Sequence, residues 1–444
     1  MKADPVVRGL AIAAAVLVLG GCSEVRDFFE RAQEDILPGE RFSVLTLEKS
    51  VEADPRLAEI VLQLPRPYLN VEWPQAGGHA SHAMHHLALA DNIGRIWRTD
   101  VGQGSTPNSR ITASPVVAAG IVFTLDADTT VTATRAADGL VLWRRNLAPA
   151  FEEVGAMGGG LASEAGVLYV STPYGDLAAL DGSNGALIWA QQLGIPIRSA
   201  PTVSGSRVYT ITVDNRIQAL SAGTGEVLWT HEGFNEIASL VGGASPAVDG
   251  DTIIVSYSSG EIFALRADNG RESWSDSLSR VGRAAALVQL NDIRGQLVVD
   301  RGTVYVVSHS GRMAAIDMRS GTRLWEQDIP SVDTPWVAGD SLFLVTVDAE
   351  VVALSRLDGR VRWVRQLARF AGRGDDDPIQ WTGPILAGDR LIVAASTGDV
   401  VAISPYTGRI LGSLRLSDGV TIPAIVADGA LYILTDGAEL VAYR

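Results

Sequence analysis

A glycine followed four residues later by a tryptophan recurs along most of this chain, and no other feature limits the available folds so tightly. The pairs are Gly139 and Trp143, Gly185 and Trp189, Gly225 and Trp229, Gly270 and Trp274, Gly321 and Trp325, and Gly359 and Trp363. Trp97 stands at the head of the series, and a further copy, Asp399 to Gly408, carries Gly412 where its tryptophan would stand. Successive positions lie 38 to 51 residues apart, the period of four short strands folded into one propeller blade.

Each unit reads the same way. Alternating or continuous apolar residues, as in Val351 to Leu354, mark a strand buried on both faces. An Asp-Gly, Asn-Gly, Thr-Gly or Ser-Gly pair then supplies the positive φ of a tight turn. The tryptophan opens the outer strand, where its ring can cover the seam to the next blade. Several units begin an inner strand after proline, as at Pro115, Pro201, Pro246, Pro335, Pro384 and Pro423, because no ladder donor is needed at a strand's first position. The last stretch, Thr421 to Arg444, holds three strands and stops, while Gly94 to Arg98 is an outer strand with nothing before it. Joining the two completes an eighth blade and removes the open edges. The expected fold is therefore all-β: an eight-bladed β-propeller of four-stranded antiparallel blades over residues 76–444, closed by an N-terminal strand joining the C-terminal blade.

Ahead of the repeats, Lys2 and Arg8 flank an apolar run from Gly9 to Leu19. It is short for a membrane span and suits a signal peptide over residues 1–21. The run ends in Leu19-Gly20-Gly21-Cys22, which resembles a lipobox and makes Cys22, the one cysteine of the chain, the expected lipid attachment site. Ser23 after it resembles lipoproteins sorted to the outer membrane. Residues 22–75 are then a lipidated tether and an extended strap, broken up by Pro65, Pro67 and Pro74.

The chemical inventory is spare. A formal net charge of -15 disfavours nucleic acid, since phosphate contacts need clustered cations. Lysine occurs only at Lys2 and Lys49, which leaves no residue for a Schiff base or phosphate loop within the repeats. No nucleophile elbow is present. His79, His82, His85 and His86 form the dense imidazole group; on a helix His82 and His86 would share a metal-binding face, but Gly77-Gly78 argue against a long helix. A polar strap packed on the propeller explains the four residues equally well. No catalytic residue, metal or cofactor is expected.

Two resemblances bear on function. The repeat resembles the tryptophan-docking motif of quinoprotein dehydrogenases, whose eight-bladed propellers hold pyrroloquinoline quinone and calcium. This chain lacks the adjacent cysteine pair and the long insertions of the alcohol-oxidising branch, so a quinone-dependent periplasmic oxidoreductase is the runner-up and a glycan- or peptidoglycan-binding propeller the third reading. The combination of lipobox, short tether and compact propeller is similar to the BamB family of the β-barrel assembly (BAM) complex. That resemblance implies a non-catalytic scaffold, lipid-anchored at the periplasmic face of the outer membrane. It would bind the POTRA domains of BamA and assist insertion of outer-membrane proteins, with unfolded clients as further partners. It also implies partner-binding residues: Ile195, Ile197 and Arg198 before Ser199-Ala200-Pro201, and Asp292 with Arg294 in a loop two blades later, where Arg294 stands in place of the family's second acid. Ile195 and Ile197, in a loop beside Gly194 and Pro196, are expected to be exposed.

Overall fold

The computed structural model describes residues 51–57, 60–150, 157–235, 242–279, 292–372 and 377–444. The signal peptide, Cys22 and the tether to residue 50 lie outside them. Eight four-stranded antiparallel sheets form the ring. In chain order, blade 1 is Val116–Ala118, Ile121–Leu125, Thr130–Arg135 and Val141–Asn146. Blades 2 to 7 repeat that order from Gly160 to Arg415, with inner strands starting at Gly160, Thr202, Ala247, Val298, Trp336 and Trp381. Blade 8 takes Ile425–Ala427, Ala430–Leu434 and Glu439–Tyr443 from the C-terminus and Arg95–Asp100 from the N-terminal side, with Trp97 opposite Ala442 and Thr99 opposite Leu440. The expected closure is what the chain does.

The tryptophans make the seams. Each indole Nε1–H donates to a carbonyl in the following blade: Trp97 to Ala136, Trp143 to Gly182, Trp189 to Ala222, Trp229 to Ala267, Trp274 to Met318, Trp325 to Arg356 and Trp363 to Pro405, at 2.7–3.1 Å. The turn glycine of that blade lies flat against the ring. A Cβ on Gly225 would sit 2.6 Å from Trp189, and one on Gly270 2.5 Å from Trp229. Glycine is thus required twice, for the positive φ of the turn (73° at Gly225) and for the close approach of the ring. This also explains Gly412. A tryptophan there would rest on the turn between the third and fourth strands of blade 8, and that blade has none, because its fourth strand comes from the other end of the chain.

Prolines 115, 201, 246 and 335 directly precede inner strands as expected, whereas Pro384 lies inside Trp381–Ala387, at a break in register between Thr382 and Ile385. Such irregularities are where a strand tolerates a missing donor.

The strap is the least expected element. It runs past residue 75 to residue 94, and between Asn70 and Leu87 it makes one circuit of the inner strands, meeting the blades in the order 8, 1, 2, 3, 4, 5, 6, 7. Asn70 accepts from Asp428 N–H and its amide donates to the Val426 carbonyl. Trp73 exchanges both backbone hydrogen bonds with Val117 at 2.8 Å. Pro74 accepts from Ser163, and the Gln75 amide brackets Val203 with two bonds of 2.9 Å. Ala80 and Ser81 accept from Val248 and Val299, the His85 carbonyl accepts from Trp336 Nε1, and Leu87 is bonded to Leu386 and Gly388. Inner strands otherwise present an unpaired edge to the axis, and the strap satisfies part of each. Its apolar residues Leu62, Trp73, Met84, Leu87 and Leu89 join the largest core cluster, with blades 6, 7, 8 and 1.

The histidines serve this strap, and residues 79–86, which carry them, are not helical. His82 Nδ1 bonds the Leu297 carbonyl, His86 Nδ1 the Pro65 carbonyl, and His86 Nε2 accepts from Asp389 N–H. His82 and His86 thus point to different partners rather than to one centre. Among the described residues, no group of three or more His, Cys, Asp or Glu side chains could hold a metal ion.

Candidate functional site

The described parts of the loops that lead from an outer strand to the next inner strand gather at one mouth of the ring, and the residues implied as partner-binding lie here. The segment 196–198 is not a free loop. Arg198 N–H donates to Ile211, and Val213 N–H donates to Pro196, so the chain forms a bridge between Ile197 and Thr212. Side chains on such a bridge alternate. Ile197 therefore turns inward to Ala162, Tyr169 and Val208 and is fully buried, while Ile195 is half-buried and Pro196 exposed. The expected exposure of Ile197 is corrected by this pairing, whose signal is only three residues long.

Arg198 is buried as well, at 6% exposure, and so is Asp292, at 1%. Arg198 Nη2 donates to both Asp292 oxygens, at 2.9 and 3.2 Å, and to the Gly242 carbonyl at 3.1 Å. Its other nitrogen reaches Asn215 Oδ1, which also accepts from the backbone and hydroxyl of Ser258. Arg198 precedes blade 3 and Asp292 precedes blade 5, so the pair spans the approach to blade 4. Gly243 makes the passage possible, because a Cβ there would lie 2.3 Å from Arg198 Nε. The two side chains are an internal brace of the mouth, not exposed contacts.

Arg294 differs from both. It is half-exposed and lines a cavity on the ring axis of about 370 Å³, floored by Trp73, Gly77 and His82 of the strap and by Trp336. Asp333 lines the same cavity. It is half-buried, accepts from Thr382 Oγ1 at 3.1 Å, and desolvation of its carboxyl in the cavity pushes it up to about 7, opposed by the Arg294 charge and the Thr382 hydrogen bond. Burial also lowers His82 to about 4. No sequence motif marks Asp333; only the folded ring brings it to the axis.

These values set a pH dependence. The fold favours the protonated form of Asp333, so between about pH 4 and 7 the native state holds more protons than the unfolded chain, and this group's contribution falls as pH rises. His82 acts oppositely, costing stability below its unfolded value of 6.5. Asp333→Asn removes the first effect alone. It is expected to raise stability above pH 7 by up to about 4 kcal/mol and to leave it unchanged near pH 4. Urea melts of both proteins across that range check this, and parallel curves would contradict the assigned burial.

The family model described as outer membrane protein assembly factor BamB matches residues 127–365, more than half of the chain and both braced loops. The chain belongs to the BamB family. BamB of Yersinia pestis is 27% identical over 307 residues, covering 66% of this chain and 75% of that one. The crystal structure of BamB from Moraxella catarrhalis matches with a TM-score of 0.69 at 22% identity, over 80% of this chain and all of that one. A europium-containing methanol dehydrogenase matches with a TM-score of 0.68 at 13% identity, over 84% and 98% of the two chains. At that identity the likeness is one of fold. Among the described residues the axial cavity does not offer the donors such a metal needs: Asp333 is the one acid that lines it, and it lies beside Arg294.

Proposed function

We propose that this BamB-family propeller is a non-catalytic scaffold of the outer-membrane β-barrel assembly complex, docking on the POTRA domains of BamA through the mouth that carries Ile195 and Arg294. The observation that carries this reading is the family match across both braced loops. The half-buried Ile195 and exposed Pro196 supply an apolar contact, and Arg294 adds a planar donor of the kind enriched at interface centres. Ile197, Arg198 and Asp292 hold that surface in shape from beneath.

The test separates contact from support. Ile195→Asp is expected to weaken binding to purified BamA POTRA domains by about 2 kcal/mol with an unchanged melting temperature, measured by titration calorimetry beside thermal melts. Equal affinity would remove the loop from the interface. Anchoring is a separate proposal. Cys22→Ser should move the mature protein from the membrane fraction to the soluble periplasm, and retention with unaltered processing would end the lipid assignment.

A further inference from the structure

The axial cavity is more than the gap left by eight converging blades. Its volume lies in the range of small-molecule sites, and Ile111, Val332, Ile385, Ile422 and Ile425 give it apolar walls. Two cationic side chains line it. Arg110 precedes blade 1 and Arg294 precedes blade 5, so in a ring of eight they approach from opposite sides. Neither has an ion pair within 4.0 Å or a side-chain hydrogen bond among the described residues; Arg294 only biases Asp333 electrostatically, and Arg110 only biases Asp436.

At the closed end the polar atoms are also unpaired. Trp73 and His82 are 3% and 4% exposed, and Trp73 Nε1 and His82 Nε2 have no hydrogen-bond partner among the described residues. Buried polar groups without partners are uncommon in folded proteins. Here two occur together in side chains that line one cavity, opposite a mouth that holds two uncommitted guanidinium groups.

We propose that the axial cavity is a binding site for a small organic carboxylate with an apolar body. The carboxylate meets the guanidinium of Arg294, whose planar fork suits two parallel hydrogen bonds to it, with Arg110 adding charge from across the mouth. The apolar body lies against the isoleucine walls, and a polar substituent at its far end reaches Trp73 Nε1 or His82 Nε2. A neutral analogue of the same shape would keep the wall contacts and lose the guanidinium pairing.

Ligand-detected NMR and titration calorimetry on the mature chain test this with 3-(4-hydroxyphenyl)propionate and its primary amide as probes. The acid is expected to bind at least tenfold more tightly than the amide. Arg294→Gln and Arg110→Gln should each weaken acid binding severalfold while the melting temperature holds. Trp73→Phe, which keeps the ring but not the N–H, should reduce the preference for the hydroxylated acid over 3-phenylpropionate. Equal binding of acid and amide, acid affinity unchanged in both arginine variants, or no binding at millimolar probe would overturn the site. Binding to BamA is read separately, so either proposal can fail alone.

Discussion

Truncation after Thr421 is expected to abolish the cooperative folding of the entire ring, not merely to fray its last blade. The deletion removes three strands of blade 8 and leaves Arg95–Asp100 without the partner it pairs with from Arg95 opposite Tyr443 to Asp100 opposite Glu439. It also strips Asn70 of Val426 and Asp428, where the strap's circuit of the inner strands begins. Blades 7 and 1 would then face a gap, each exposing a face of apolar side chains that now belong to the largest core cluster. Loss of the cooperative thermal transition by circular dichroism, with rapid proteolysis of the remaining chain, is the expected outcome. A truncated protein that melts like the full chain would show that blade 8 is dispensable and that the strap alone closes the ring.

Arg198→Ala is expected to destabilise the protein by up to about 3–5 kcal/mol, the range for breaking a buried ion pair from one side. It leaves the Asp292 carboxylate, 1% exposed, without its guanidinium, and it also removes a donor from the Gly242 carbonyl and Asn215. The double variant Arg198→Ala, Asp292→Ala should cost less than the sum of its parts, because both single changes remove the same interaction. Arg198→Lys should not restore stability, since one ammonium cannot reproduce the fork that joins Asp292, Gly242 and Asn215. Urea denaturation of the wild type, Arg198→Ala, Asp292→Ala, the double variant and Arg198→Lys measures the coupling, and an undiminished Arg198→Ala would mean the brace carries no weight. A loss of partner binding in Arg198→Ala would accordingly report a collapsed mouth rather than a missing contact.

The propeller was legible in the sequence because its determinants are local and repeated. A turn glycine, a tryptophan four residues on and an apolar strand before them recur at a fixed period, and the truncated units at each end point to their own joining. The strap and the mouth were less legible for one shared reason: their partners are scattered along the chain and carry no periodic signal. Gln75 needs Val203, His86 needs Asp389, and Arg198 needs Asp292. Ile197 illustrates the difficulty well. Glycine and proline beside it mark a loop, yet a single bridge to Thr212 turns its side chain into the core. The resemblance did identify two loops that meet, and what it could not convey is that they meet each other.

The circuit of the strap has a consequence for how this chain must reach its native state. The strap is made before any blade, yet it cannot complete its circuit until all eight inner strands exist, and Arg95–Asp100 waits for residues 439–443. Contacts of such long sequence separation slow folding, because loop closure must precede the reward. Until the last strand arrives, the early blades can fold as local meanders but the axis stays open and the first strand is an unpaired edge, the kind of surface that recruits the wrong partner. The final step should therefore be slow and concentration-sensitive, and a circular permutant that makes blade 8 continuous should refold faster even where its equilibrium stability is unchanged.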